Sequence, residues 1–170
     1  MSHGSLRQPD DVDRIREEWG SLHPEFETEV IELTGRILRS AAVITRAGDD
    51  FLARYELTRG EFDLLSALRR ADGPRSPGEL RTISLASGSA TTKRLKALEQ
   101  RRLVRRSPNP VDGRGAFIQL TADGRDLIDR VFPELLARER ELFRALPEAE
   151  RPAAVDALRA LVLALGQTTE

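Results

Sequence analysis

Four side chains of this 170-residue chain share one side of a predicted helix: Ser89, Thr92, Lys93 and Lys96, at i, i+3, i+4 and i+7, with no acid among them. Hydroxyls and ammonium groups so arrayed suit phosphate oxygens and base edges. Arg94 on the flank adds a guanidinium fit for phosphate or a guanine edge. Thr91, Leu95 and Leu98 fall on the opposite side and are expected to pack. An ordinary surface helix would more often alternate Glu and Lys around its exposed face. Arg114 stands between Gly113 and Gly115, where a small-residue loop lets a guanidinium enter a narrow minor groove with enhanced negative potential. Phosphate would repel the neighbouring Asp112, which is expected instead to pair with an arginine and shape the loop.

A second constellation lies on an earlier predicted helix, where Asp63, Ser66, Ala67 and Arg70 share a face at the same spacing. Asp63 is flanked by Phe62 and Leu64, so it is expected to be partly buried and to require a cation. Two readings stay open. The small residues leave room for an anionic ligand between the carboxylate and the guanidinium, or Asp63 and Arg70 form a structural ion pair.

The formal net charge of −1, from 27 basic and 28 acidic side chains, hides a polarity. Residues 75–115 hold ten basic against three acidic side chains, a net of +7, which leaves −8 for the remainder. Clustered charge of this kind is a footprint for a polyanion. Arg outnumbers Lys 25 to 2, yet both lysines lie inside the basic segment. The absence of cysteine excludes disulfides, thiolate zinc sites and cysteine nucleophiles, and only His3 and His23 offer imidazole. No phosphate-binding glycine loop, HExxH or Ser-His-Asp pattern is present, so neither catalysis nor a cofactor or metal is expected. The N-terminus lacks a signal-peptide core. The longest apolar run, Ala153 to Leu165, is too short to span a bilayer and is interrupted by Asp156 and Arg159, which points to a cytoplasmic protein without membrane contact.

The elements that must position these groups follow from caps and periodicity. Met1 to Gln8 is polar and expected to be disordered or a cloning remnant, so His3 is given no role. Val12, Ile15 and Trp19 predict a short helix from Asp10 to Gly20. After Pro24, helical spacing of Val30, Leu33, Ile37, Leu38, Ala41 and Ile44 predicts a long helix from Glu25 to about Tyr55, with Thr34, Ala42 and Gly48 as small sides for close packing. Thr58 with Glu61 forms a capping box for a helix over Arg59 to Arg70. Ser76, Pro77 and Glu79 start a short helix to about Leu85, and Ser87 or Ser89 caps the next, to about Gln100. Two strands follow, one beginning at Leu103 and Val104, the other carrying Phe117, Ile118 and Leu120, joined by a basic loop. Thr121 caps a long helix that Pro133 is expected to kink, and Pro147 opens the last helix, whose Ala154, Leu158, Leu161, Val162 and Leu165 are expected at a subunit interface.

The order helix, short helix, helix, hairpin is the winged helix-turn-helix plan. The run Asp112-Gly113-Arg114, then Leu120-Thr121 and Gly124, resembles the wing signature of MarR-type transcriptional regulators. Leu57 to Asp63, Ser76 to Leu80, Ser87-Gly88-Ser89 and Arg105-Arg106 resemble further family stretches. The resemblance covers roughly residues 25–165. It implies a homodimer with interlocked terminal helices, two winged helices on palindromic double-stranded DNA, and repression relieved by a small molecule.

The extra N-terminal helix with its tryptophan, and the Asp and Arg seven apart, are similar to a urate-responsive subgroup. The resemblance then implies a site for an anionic aromatic ligand, urate among the candidates, built from Trp19, Asp63, Arg70 and Arg106, with Arg105 as the alternative to Arg106. Trp19 would stack on the ligand, or else pack Val12 and Ile15 onto the long helix. The other function kept open is a winged-helix regulator without urate response, sensing a phenolic carboxylate or nothing. The expected fold is mainly α with a small β-hairpin: N-terminal helices over 9–56 as ligand lid and dimerisation region, a DNA-binding domain over 57–121, and dimerisation helices over 122–170.

Overall fold

The computed structural model describes residues 9–71, 73–83, 88–108 and 116–166, without the side chains of 81–83, 88 and 89. His3, Ser87, Asp112 and Arg114, and the side chain of Ser89, therefore lie outside the described residues. The chain divides into two compact units, Met1–Asp50 and Phe51–Glu170.

In the first unit, α1 (Asp11–Leu22) starts at a capping box in which Asp10 accepts from the Val12 and Asp13 backbone and Asp13 answers to the Asp10 N–H at 2.9 Å. It lies on α2 (Val30–Leu52), where Val12 is buried against Gly35. A Cβ on Gly35 would stand 2.9 Å from Val12 Cγ1, so this glycine sets the approach of the two helices. Of the small sides expected to do this, Thr34 and Ala42 are exposed, whereas Gly48 is buried. Ion pairs flank the contact, Arg36 with Asp10 and Asp13 at 2.9 and 2.7 Å, and Arg39 with Asp11. The long helix begins at Val30 rather than Glu25, because residues 23–31 make tight turns, Phe26 N–H to His23 O and Ile31 N–H to Thr28 O. Those turns bring Phe26 onto His23, rings 4.4 Å apart and 10° from parallel.

In the second unit a 3-10 turn, Ala53–Tyr55, leads through Glu56 to α3 (Arg59–Ala71). The Thr58 and Glu61 capping box forms as read: the Thr58 N–H donates to Glu61 Oε2 at 2.8 Å and the Glu61 N–H to Thr58 Oγ1 at 3.3 Å. The same exchange between Ser76 and Glu79 starts α4 (Pro77–Ile83), and the Ser76 N–H holds the Glu79 carboxyl below its ordinary pKa. Helix α5 (Gly88–Gln100) follows, and its exit is tighter than expected. Arg102 takes a left-handed φ of 59°, the Leu103 N–H closes back on Leu98 O, and the strand begins one residue later.

Strands β1 (Val104–Pro108) and β2 (Ala116–Leu120) pair antiparallel, Val104 opposite Leu120 and Arg106 opposite Ile118. On its other edge β2 pairs with Arg75, whose N–H and C=O bond Ile118 at 2.9 and 2.8 Å. This tie, unread in the sequence, anchors the hairpin to the link between α3 and α4. Helix α6 (Ala122–Leu142) passes through Pro133 without ending there, and α7 (Arg151–Gly166) starts after a further 3-10 turn, Glu148–Glu150, rather than at Pro147.

Thr121 sets the root of α6: its hydroxyl accepts from the Gly124 N–H at 3.0 Å and donates to Arg102 O at 2.7 Å. A Cβ on Gly124 would overlap the Leu103 carbonyl. The Leu-Thr-x-x-Gly part of the wing signature is thus a packing requirement, joining the exit of α5 to the start of α6. Leu64, Leu65, Leu80, Leu98, Ile118 and Val131 are fully buried in one core shared by α3 to α6 and the hairpin. Helix, short helix, helix and hairpin around that core make a winged helix-turn-helix.

Candidate nucleic-acid interface and ligand cavity

Helix α5 is divided as its spacing predicts. Thr91, Leu95 and Leu98 are 1% exposed or less, while Thr92, Lys93 and Lys96 are exposed. Neither lysine makes an ion pair among the described residues, so both ammonium groups are available to phosphate. Glu99, the acid of this helix, is turned to the hairpin, where Arg106 Nε donates to it at 3.2 Å. Arg94 leans toward α3: it is half-buried, its guanidinium seated against Gly60 where a Cβ would collide with it. Arg105 reaches across the hairpin to Gln119, whose amide oxygen accepts from it at 2.7 and 2.9 Å. Thus Arg106 ties the hairpin to α5, and Arg105 braces one strand on the other.

The second constellation comes apart. Asp63 is half-exposed and accepts from Arg59 Nε at 3.0 Å, one turn back, instead of pairing with Arg70. The face it was read on is not uniform either. Ser66 and Ala67 are buried and Arg70 is exposed, because α3 turns its middle into the core. Arg59 four residues before Asp63 was the signal in the sequence that favoured the observed pair.

Ser66 and Arg70 meet again elsewhere. They line a cavity of about 290 Å³ between α3 and α6, with Arg69, Ile128, Asp129, Phe132 and Pro133. Arg69 Nε donates to Asp129 Oδ1 at 2.7 Å and holds that carboxyl below its ordinary value. The Ser66 hydroxyl is buried without a hydrogen-bond partner, and Arg70 forms no ion pair among the described residues. Phe132 and Pro133, unread as site residues, supply an apolar wall, and the Phe132 ring also stacks on Phe62 at 6.1 Å. A pocket of this size is at the small end for organic ligands, and its polar lining is the Ser66 hydroxyl, Arg70 and the Arg69–Asp129 ion pair, beside an apolar wall.

Trp19 belongs to the first unit. It is 46% exposed and lies beside His23 and Phe26, ring centroids 6.1 and 6.3 Å away.

The profile of the MarR family matches residues 55–115. The HTH-type transcriptional regulator PecS of Dickeya dadantii is 34% identical over 143 residues, 83% of this chain and 86% of PecS. Among solved structures, AbsC, a MarR family transcriptional regulator from Streptomyces coelicolor, matches with TM-score 0.73 at 25% identity, over 84% of this chain and 99% of AbsC. Bordetella bronchiseptica BpsR, whose DNA binding is regulated by 6-hydroxynicotinic acid, matches with TM-score 0.67 at 27% identity, over 76% of this chain and 98% of BpsR.

Proposed function

This chain belongs to the MarR family of DNA-binding transcriptional regulators, and from that premise we propose that it works as a homodimer on a palindromic operator, as a repressor released by a small anionic aromatic ligand. The observation that carries the DNA reading is α5, with its buried Thr91, Leu95 and Leu98 opposite an exposed Thr92, Lys93 and Lys96. In the major groove that face sets Ser89, Thr92, Lys93 and Lys96 toward phosphates and base edges, with Ser87 and Arg94 at its margin. Arg114 enters the minor groove from the wing, and Asp112 shapes the tip.

Two supports favour the remaining parts. Within their own units α2 and α7 leave apolar side chains exposed, Leu38 at 69% and Val162 at 71% among them, as helices that bury a face against a second copy do. The cavity at Ser66 and Arg70 suits a flat ring with a carboxylate or an equivalent anion, urate included. A second reading, a regulator sensing a phenolic carboxylate or no effector, is favoured by the diversion of Asp63 to Arg59. No Asp63 to Arg70 contact exists for an anion to break.

Thermal shift with urate, a hydroxybenzoate and a hydroxynicotinate separates these readings, since a ligand that binds the folded state raises the melting temperature. A ligand that raises it and also releases a palindromic duplex supports the ligand-responsive repressor. No shift with any compound supports the effector-free regulator.

A further inference from the structure

We propose that Arg101 is a positioning residue for DNA reading, which stakes the exit of α5 to the turn between α2 and α3 and so fixes how the recognition face is presented. The inference rests on α5 being the helix that enters the groove. Arg101 follows directly on α5, and its two terminal nitrogens donate to two successive backbone carbonyls, Nη1 to Glu56 O and Nη2 to Tyr55 O at 3.1 Å. The Glu56 carboxylate adds little, since it is 3.9 Å away and its side chain is 87% exposed. The bond is therefore a planar fork on two carbonyls, a geometry that guanidinium holds and a lysine ammonium does not.

The turn that receives the fork is itself fixed. The Tyr55 hydroxyl donates to Glu134 of α6, the Leu57 N–H closes on Leu52 O at 3.1 Å, and both leucines are buried. The two left-handed non-glycine residues among the described residues stand at the two ends of the fork. Glu56, at φ 54°, is at the receiving end, and Arg102, at φ 59°, is next to the donor. Backbone of that kind persists where its surroundings hold it. Arg101 itself stands beyond the reading face, roughly 7.5 Å along the helix axis from Lys96, its nearest lysine, at 1.5 Å per residue. Its nitrogens point at protein carbonyls rather than at a phosphate. Without the fork, the exit of α5 keeps its apolar contacts at Leu98 and Leu103 but loses its polar stake, and the face carrying Thr92, Lys93 and Lys96 is free to tilt.

The experiment uses a duplex selected by the wild-type protein from a random pool, with affinity measured by fluorescence anisotropy over a range of salt, beside thermal melts. Arg101→Ala is expected to lose about tenfold in affinity, or ~1.4 kcal/mol, with the salt slope of the wild type and little change in affinity for scrambled DNA. Lys93→Ala should lower affinity and slope together. Arg101→Lys should recover only part of the loss. If Arg101→Ala does not fold, the Lys and Gln variants carry the same comparison. A slope reduced by about 0.9, as for one lost phosphate contact, would overturn the proposal, because Arg101 would then touch DNA. So would unchanged operator affinity beside a lowered melting temperature, or full rescue by lysine. Wild-type protein that selects no duplex would overturn the DNA reading, and this proposal with it.

Discussion

The guanidinium of Arg94 occupies the space into which a Cβ on Gly60 would project. Helix α5 and the start of α3 therefore meet through a long, half-buried basic side chain laid on a residue without one.

Gly60→Ala should push the Arg94 guanidinium off α3 and so re-aim a side chain at the margin of the proposed DNA-reading face. Because the colliding atoms belong to the end of a flexible side chain, folding stability should change by no more than about 1 kcal/mol. Operator affinity should fall by about 1 kcal/mol or more, the scale of one lost base contact. Parallel melts and DNA titrations of the variant check both halves.

The junction at Thr121 and Gly124 behaves differently, since there the obstacle is backbone. Gly124→Ala should destabilise the protein by about 3 kcal/mol, because neither α6 nor the Leu103 carbonyl can yield cheaply. Thr121→Val, which removes the cap and the bond to Arg102 O, should cost about 1–2 kcal/mol. Denaturant unfolding followed by circular dichroism measures both.

Arg102 holds a left-handed φ of 59° at the exit of α5, where glycine is the residue of least strain. Arg102→Gly should therefore stabilise the fold by about 1 kcal/mol, seen as a raised denaturation midpoint. An unchanged or lowered midpoint would mean that the arginine side chain contributes more than its backbone costs.

Much of this architecture is local and was legible. The capping boxes that start α3 and α4 involve residues three apart, and the division of α5 into packed and exposed faces follows from helical period alone. Other features were not legible because their causes are distant or fall outside any period. Arg75 pairs with Ile118 as a single residue of strand, too short to show alternation. Gly35, not Thr34, receives Val12, and which side of α2 faces α1 depends on a partner helix that the period of α2 does not reveal. Asp63 had two arginines within helical reach, and the choice of Arg59 over Arg70 followed from burial of the residues between. The cavity draws half its wall from α6, which no reading of α3 could have supplied.

Acid should release α1 from α2. A hydrogen bond from Arg39 holds the Asp11 carboxyl below its ordinary value of 3.8, and one from Arg36 does the same for Asp13. Depressed carboxylate pKa values contribute stability that is fully present above the ordinary value and lost as pH falls through the lower folded ones. The α1 contact should thus persist at neutral pH and fail only below about 3.8. Trp19, the one tryptophan of the chain, lies on α1 and reports the event by fluorescence. Arg36→Ala should move the transition to higher pH, and a transition unmoved by that change would sink the assignment.

The central claim, that the exposed face of α5 reads DNA, is tested most directly by the salt dependence of binding to a selected palindromic duplex in wild type and in Lys93→Ala with Lys96→Ala. The wild type should bind with a steep log–log slope, and the double variant should bind more weakly with a slope shallower by about 0.9 for each phosphate contact removed. Equal affinity for scrambled DNA, or a slope and affinity untouched by loss of both lysines, would contradict it.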